Sequence, residues 1–209
     1  MNISIARRPA GHVLSYAAAQ ASFTGTKATD AELIERIAEG DKSALQILFA
    51  RHSVAVYRFA LRLVKDGSLA DDVVNELFLD VWRYAGNFEG RSQVSTWLLA
   101  IARNKAVSML RVRSEGQLDE EAAESIEDPT DTPETAMQKK EHSSVMRACL
   151  TQLSPAHREI IDLVYYHEKS IGEVAQIIGI GVNTVKTRMF YARKHLEDLL
   201  GVHGITSAA

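Results

Sequence analysis

Apolar residues recur at spacings of three and four along most of this chain, and no stretch of strand length alternates apolar with polar positions. The run "ATDAELIERIAEGDKSALQILFARHSVAVYRFALRLV" places Leu33, Ile34 and Ile37, then Leu45, Leu48 and Phe49, at helical spacing. Gly40 sits where the first of these helices should stop, and Asp41 can cap the next. "SLADDVVNELFLDVWRYAGNF" carries Val74, Leu77, Phe78 and Val81 on one face and Asp72, Glu76 and Arg83 on the other. In "VSTWLLAIARNKAVSMLRVR" the residues from Trp97 to Ala102 are apolar nearly all round, before the pattern turns basic at Arg103. That predicts a helix whose first half is buried and whose second half emerges; Trp97, which begins the apolar half, reads as core rather than as a stacking platform. Ser154-Pro155 offers an N-cap and a first helical residue, and opens a segment with a core face of Ile160, Ile161, Leu163 and Val164. The expected fold class is all-α.

Residues 170 to 196, "SIGEVAQIIGIGVNTVKTRMFYARKHL", predict a helical hairpin. Ser170 and Glu173 make a capping box, the helix continues through Val174, Ala175, Ile177 and Ile178, and Gly179 ends it. The second helix is expected to start near Asn183 as its N-cap, with Val185, Met189, Ala192, Leu196 and Leu199 as the buried stripe. At 100° per residue, Thr187, Phe190, Tyr191 and Lys194 point away from that stripe; Lys186 and Arg193 lie along one flank and Arg188 along the other. Two helices about a glycine-containing turn fit the helix-turn-helix plan, whose second helix lies in the major groove of DNA. Lys and Arg suit phosphates or guanine, a threonine hydroxyl suits either role, and an outward phenylalanine can meet a thymine methyl. The alternative is an ordinary packed hairpin that is basic at one end by chance. An apolar ring amid a basic solvent face wants a partner, which favours the DNA reading.

Composition changes this picture in two ways. At 209 residues the chain fits two small domains and a linker, and its net charge of -3 conceals a segregation. Lys+Arg against Asp+Glu runs 3 to 0 over residues 1–27, 12 to 11 over 28–113, 2 to 10 over 114–145 and 7 to 6 over 146–209. The acidic segment has two prolines and few large apolar residues, so it is expected to be a flexible linker that keeps two domains apart. A sharper role, competing with DNA for basic surfaces, is the lesser alternative.

The remaining chemistry narrows the function classes. One cysteine, Cys149, excludes an intramolecular disulfide framework and fits a reducing cytoplasm. No apolar run approaches the roughly 18 to 20 residues needed to span a bilayer. Arg7-Arg8 followed by "GHVLSYAAAQAS" imitates a signal peptide, but His12, Ser15, Tyr16 and Gln20 interrupt its apolar part, and no export is expected. His142, Cys149, His157 and His167 match no standard zinc spacing. No P-loop, nucleophile elbow, H-E-x-x-H or paired-cysteine motif is present, so the expectation is a non-enzyme without metal, cofactor or small-molecule substrate.

Two blocks, "LSPAHREIIDLVYYHEKSIGEVAQIIGIGVNTVKTRMFYARKHL" and "DDVVNELFLDVWRYAGNFEGRSQVSTWLLAIARNKAVSMLR", resemble regions 4 and 2 of bacterial sigma factors. The similar group is the extracytoplasmic-function group of the sigma-70 family, initiation subunits of RNA polymerase. The resemblance spans roughly residues 28 to 200. It implies an N-terminal extension over 1–27, region 2 over 28–113, the linker over 114–145, region 4 over 146–203 and a tail over 204–209. The extension is expected to be disordered, with a partner-binding arm or a misassigned start as alternatives.

By this resemblance Asp72, Asn75, Glu76 and Leu79 would dock on a coiled coil of the largest polymerase subunit; from the residues alone a solvated helix face would be preferred. Asn87, Phe88, Arg91, Ser92, Gln93 and Ser95 would take a flipped base of the -10 element, with Arg103, Asn104, Lys105 and Arg111 along the opening duplex. Asn183, Lys186, Thr187, Arg188, Phe190, Tyr191, Arg193 and Lys194 would bind the -35 element. The implied partners are core RNA polymerase, promoter DNA and an anti-sigma factor, in the cytoplasm and in a stress response. Gly181, Asn183 and Tyr191 depart from the family's usual residues around the recognition helix, and Ser108 and Val112 from those in region 2, which bears on the promoter bases. An ordinary repressor using the same hairpin is the competing reading; no dimerisation heptad accompanies it.

Overall fold

A computed structural model describes residues 27–116 and 145–202, which fall into two compact units, one for each range. The N-terminal extension, almost all of the acidic linker and the tail lie outside the described residues. Among the described residues there is no strand, and all regular structure is helical.

The first unit consists of α1 (Asp30–Ala38), α2 (Lys42–Val64), α3 (Gly67–Tyr84), a short 3-10 turn (Ala85–Asn87) and α4 (Val94–Gly116). Local chemistry sets these boundaries. Thr29 and Glu32 close a capping box on α1, and Gly40 at φ +90° turns the chain so that Asp41 can accept from the N–H groups of Ser43 and Ala44. Lys65 ends α2 in the left-handed region, and Asp66 caps α3 through the N–H groups of Ser68 and Leu69. The periodic positions then meet: Leu33, Ile34, Leu48, Phe59, Val74, Leu77 and Leu98 are all buried. Leu45 and Phe49, read as core from their spacing, are half-buried, with the Phe49 ring 4.8 Å from that of Phe78.

A polar clasp ties the start of α1 to the middle of α2. Asp30 accepts from Arg51 Nη1 at 2.7 Å and meets His52 Nε2 at 2.6 Å, while the same Arg51 nitrogen donates to the Ala28 carbonyl at 2.9 Å. The hydrogen bond with His52 holds the Asp30 carboxyl down to about 2 from 3.8; partial burial opposes this and Arg51 reinforces it. A carboxyl depressed in the folded state contributes stability in full above its unfolded value, and that contribution is lost as pH falls through about 2. Asp30→Asn should therefore cost on the order of 1 kcal/mol at pH 7, after discounting for solvent screening. It should also flatten the acid limb of the stability profile between about pH 4 and pH 2. Urea melts across that range check the profile and a melt at pH 7 checks the cost; equal stability of the two proteins at neutral pH would show that the clasp does not stabilise the fold.

The second unit consists of α5 (145–152), α6 (Pro155–Tyr165), α7 (Ile171–Ile178) and α8 (Val182–Val202). Ser154 accepts from the His157 N–H with Pro155 in the first turn, as its sequence predicts. Arg158 reaches back to the carbonyls of Leu150, Thr151 and Leu153 at 2.7–3.0 Å, satisfying acceptors that the end of α5 leaves open. Ser170 and Glu173 form the capping box of α7, and Gly179 at φ +75° ends it. Cys149, Leu153, Ile160, Leu163, Val174, Val185 and Ala192 are buried together in this unit, whereas Val164, Leu196 and Leu199 are half-buried.

One boundary differs from the expectation. The Val185 N–H bonds to the Gly181 carbonyl at 3.1 Å, so α8 begins at Val182 and Asn183 lies inside its first turn rather than at its cap. Glycine tolerates a cap position well enough to compete with asparagine two residues on.

Candidate nucleic-acid interface

In α8 the buried stripe of Val185, Met189 and Ala192 fixes the rotation of the helix. It leaves Asn183, Lys186, Thr187, Phe190, Tyr191, Arg193 and Lys194 exposed, with Arg188 half-buried on its flank. Phe190 is 64% exposed, and its ring meets Tyr191 edge-on at 5.4 Å between centroids. Thr187 donates its hydroxyl to the Asn183 carbonyl at 3.0 Å, which leaves its oxygen able to accept. Lys186, Arg188, Arg193 and Lys194 form no ion pair with any described carboxylate. Arg36, Arg51, Arg91, Lys105 and Arg113 of the first unit are all paired. Cations clustered on one helix with no internal acid partner are available to an external anion, and phosphate is the anion that a major-groove helix meets.

A residue that sequence spacing misses borders this face. The Arg193 guanidinium carbon lies over the ring of Tyr165, 5.8 Å from its centroid. Positions 165 and 193 share no helix, so no periodicity links them.

In the first unit Asp72, Asn75, Glu76 and Leu79 follow one another at spacings of three, one and three, and all are exposed along one face of α3. Leu79, at 52% exposure, is an apolar side chain on an otherwise polar stripe with two carboxylates. Behind it Lys105 reaches across from α4, its Nζ 2.6 Å from Asp80 Oδ2 and 3.3 Å from Glu76 Oε2. Burial would push the Lys105 ammonium down, but its hydrogen bonds to Asp80 and Glu76 raise it above the ordinary lysine value. Lys105 thus fastens α4 to α3, and a nucleic-acid strand would have to compete with two carboxylates for it. Arg113 makes a second fastening, 3.0 Å from Asp66. Arg103 is half-buried, while Asn104 and Arg111 are exposed on the emerging half of α4.

The segment joining the 3-10 turn to α4 holds the remaining expected residues. Asn87, Arg91 and Gln93 are exposed, and Phe88, Ser92 and Ser95 are half-buried. The Phe88 ring packs on Trp97 with centroids 5.1 Å apart, so both aromatic rings brace the segment against α4. Trp97 accordingly serves packing, as expected, though half-buried rather than enclosed. Gly90 at φ +67° lets the chain reverse, and the Gln93 carbonyl accepts from the N–H groups of Thr96 and Trp97 to start α4. Arg91 pairs with Glu89 at 2.5 Å in full view of solvent, a contact that water and salt weaken readily.

Among the described residues no group of three or more His, Cys, Asp or Glu side chains converges to hold a metal, and no helix is long and apolar enough to cross a membrane.

Comparison with known proteins bears on the same two units. The sigma-70 region 2 family matches residues 48–115 and the sigma-70 region 4 family matches residues 144–196. The chain is similar to the RNA polymerase sigma-H factor of Pseudomonas aeruginosa, 30% identical over 184 residues covering 84% of this chain and 95% of the relative. It is also similar to the RNA polymerase sigma factor CarQ of Myxococcus xanthus, 34% identical over 171 residues covering 80% and 95%. Among solved structures it matches CnrH, solved in complex with the cytosolic domain of CnrY, at a TM-score of 0.60 and 25% identity over 83% of this chain and 97% of that one. A second match is the sigma factor RpoE of Bartonella quintana, solved with the anti-sigma factor NepR, at a TM-score of 0.55 and 28% identity over 71% and 91%.

Proposed function

The chain belongs to the sigma-70 family as an RNA polymerase sigma factor of the extracytoplasmic-function type, and we propose that it grips a promoter at two points. Its α8 reads the -35 element as duplex, and the segment from Asn87 to Ser95 takes a base of the -10 element as the strands part. The observation that carries this reading is the set of three exposed cations without described acid partners, Lys186, Arg193 and Lys194, on the face of α8 that carries exposed Phe190. Extruding a base costs a few kcal/mol of stacking, which hydrogen-bonding groups and backbone contacts must offset. Two weak sites on one chain reinforce each other through their effective concentration, so neither need bind tightly alone.

The stripe of Asp72, Asn75, Glu76 and Leu79 docks on core polymerase, where its acidic character suits a basic partner. The protein then regulates where initiation occurs, in the cytoplasm, and carries no catalytic step of its own. The domain limits are region 2 over 28–113, an acidic linker over 114–145 and region 4 over 146–203, with the last residues of α4 and the first of α5 running into the two ends of the linker. Control by an anti-sigma factor is supported by RpoE, which was solved bound to one.

Transcription in vitro with purified core polymerase on a promoter library tests the reading. Promoter-specific starts that require the protein are expected. If it yields none and instead binds duplex DNA alone as a tight dimer, it is a repressor. Within the -10 segment, Asn87→Ala or Arg91→Ala should lower strand opening roughly 3- to 30-fold without changing helicity, by loss of one or two contacts of about 1 kcal/mol each. Normal opening by both variants would move the base pocket elsewhere.

A further inference from the structure

The duplex-contacting surface reaches beyond the recognition helix. We propose that Tyr165, at the end of α6, is a positioning residue for the -35 contact, its ring holding the Arg193 guanidinium ready for a backbone phosphate. This rests on α8 being the duplex reader.

Three observations carry it. The Arg193 guanidinium lies over the Tyr165 ring at 5.8 Å from the centroid, within the range of a cation–π attraction. Arg193 makes no ion pair with a described carboxylate, so the ring is what restrains an otherwise mobile, rotamer-rich side chain. Tyr165 is itself 56% exposed, and so is not held in the core for packing alone. A ring partner suits this task better than a carboxylate would. It attracts the cation without consuming the guanidinium's N–H donors, and an arriving phosphate can use that fork without first breaking an ion pair. Placement agrees: Arg193 is seven residues beyond Lys186, two turns further along the same flank, so the two cations lie about 10 Å apart in one line. Lys186 reaches the backbone near the start of the helix and Arg193 reaches it near the middle.

The test uses holoenzyme reconstituted with core polymerase and a duplex promoter that depends on its -35 element, with binding followed across a salt series. Arg193→Gln should weaken binding several-fold and lower the salt slope by about one phosphate contact. Tyr165→Leu should weaken binding about two- to fivefold, with a partial loss of slope, whereas Tyr165→Phe, which keeps the ring, should match the wild type. In the Arg193→Gln background Tyr165→Leu should cost nothing more. The proposal is overturned if Tyr165→Phe loses as much as Tyr165→Leu, or if the Tyr165→Leu and Arg193→Gln losses multiply. Should Tyr165→Leu reduce helicity, Tyr165→Gln takes its place with the same expected outcomes. Lys186→Ala separates the two levels. If it leaves binding and salt slope unchanged, α8 is not the reader; if it weakens binding while Tyr165→Leu does not, only the role of Tyr165 fails.

Discussion

Phe190→Asp should abolish initiation at a -35-dependent promoter, lowering the yield of open complexes by about 100-fold or more at physiological salt. Like charges brought together at an interface cost several kcal/mol, and each 1.4 kcal/mol is a factor of about ten. The substitution puts a carboxylate at the centre of a face otherwise lined by Lys186, Arg193 and Lys194, where it meets phosphates or the acceptor edges of bases. Phe190 is 64% exposed, so its replacement leaves the Val185, Met189 and Ala192 stripe intact, and both helicity and affinity for core polymerase should be unchanged. Run-off transcription beside a core-binding assay separates these effects. Wild-type initiation by a folded Phe190→Asp protein would show that this face does not meet DNA.

A comparable loss, about 30- to 300-fold, is expected for core polymerase binding by Leu79→Arg, on the scale of a central interface anchor replaced by a charge. Leu79 is the apolar member of the exposed stripe that runs through Asp72, Asn75 and Glu76. A cation there removes an anchor and repels the basic partner that the stripe suits. Position 79 tests this face more cleanly than Glu76, whose carboxylate also lies 3.3 Å from Lys105 and so helps to fasten α3 to α4. Competition against a labelled wild-type protein for limiting core polymerase measures the effect. Undiminished competition would assign polymerase docking to another surface, while region 4 could still read its element.

The difference between those two positions also shows what the amino-acid order makes legible. Helices and their ends follow local rules, so the Asp41 cap, the capping box at Ser170, the serine cap before Pro155 and the glycine stop at Gly179 could all be read directly. The same periodicity that buries Val185, Met189 and Ala192 predicts that Phe190 faces outward. Contacts between helices have no such local signature. Lys105, grouped with the strand-facing residues of α4, pairs with Asp80, 25 residues earlier, because burial of the α3 and α4 faces brings the two side chains together. The clasp of Asp30 with Arg51 and His52 and the meeting of Tyr165 with Arg193 arise in the same way. Arg188, placed on the flank of the basic face by the helical wheel, is half-buried, because a wheel knows nothing of the neighbouring helices.

Footprinting combined with permanganate reactivity, on holoenzyme bound to one promoter recovered from the library, tests the two-point grip most directly. A protected -35 duplex and reactive, unpaired thymines at the -10 element are expected in the same complex, both requiring core polymerase and the -35 protection vanishing with Phe190→Asp. A single protected site with no unpaired thymines, formed equally well without core polymerase, would contradict the two-point grip.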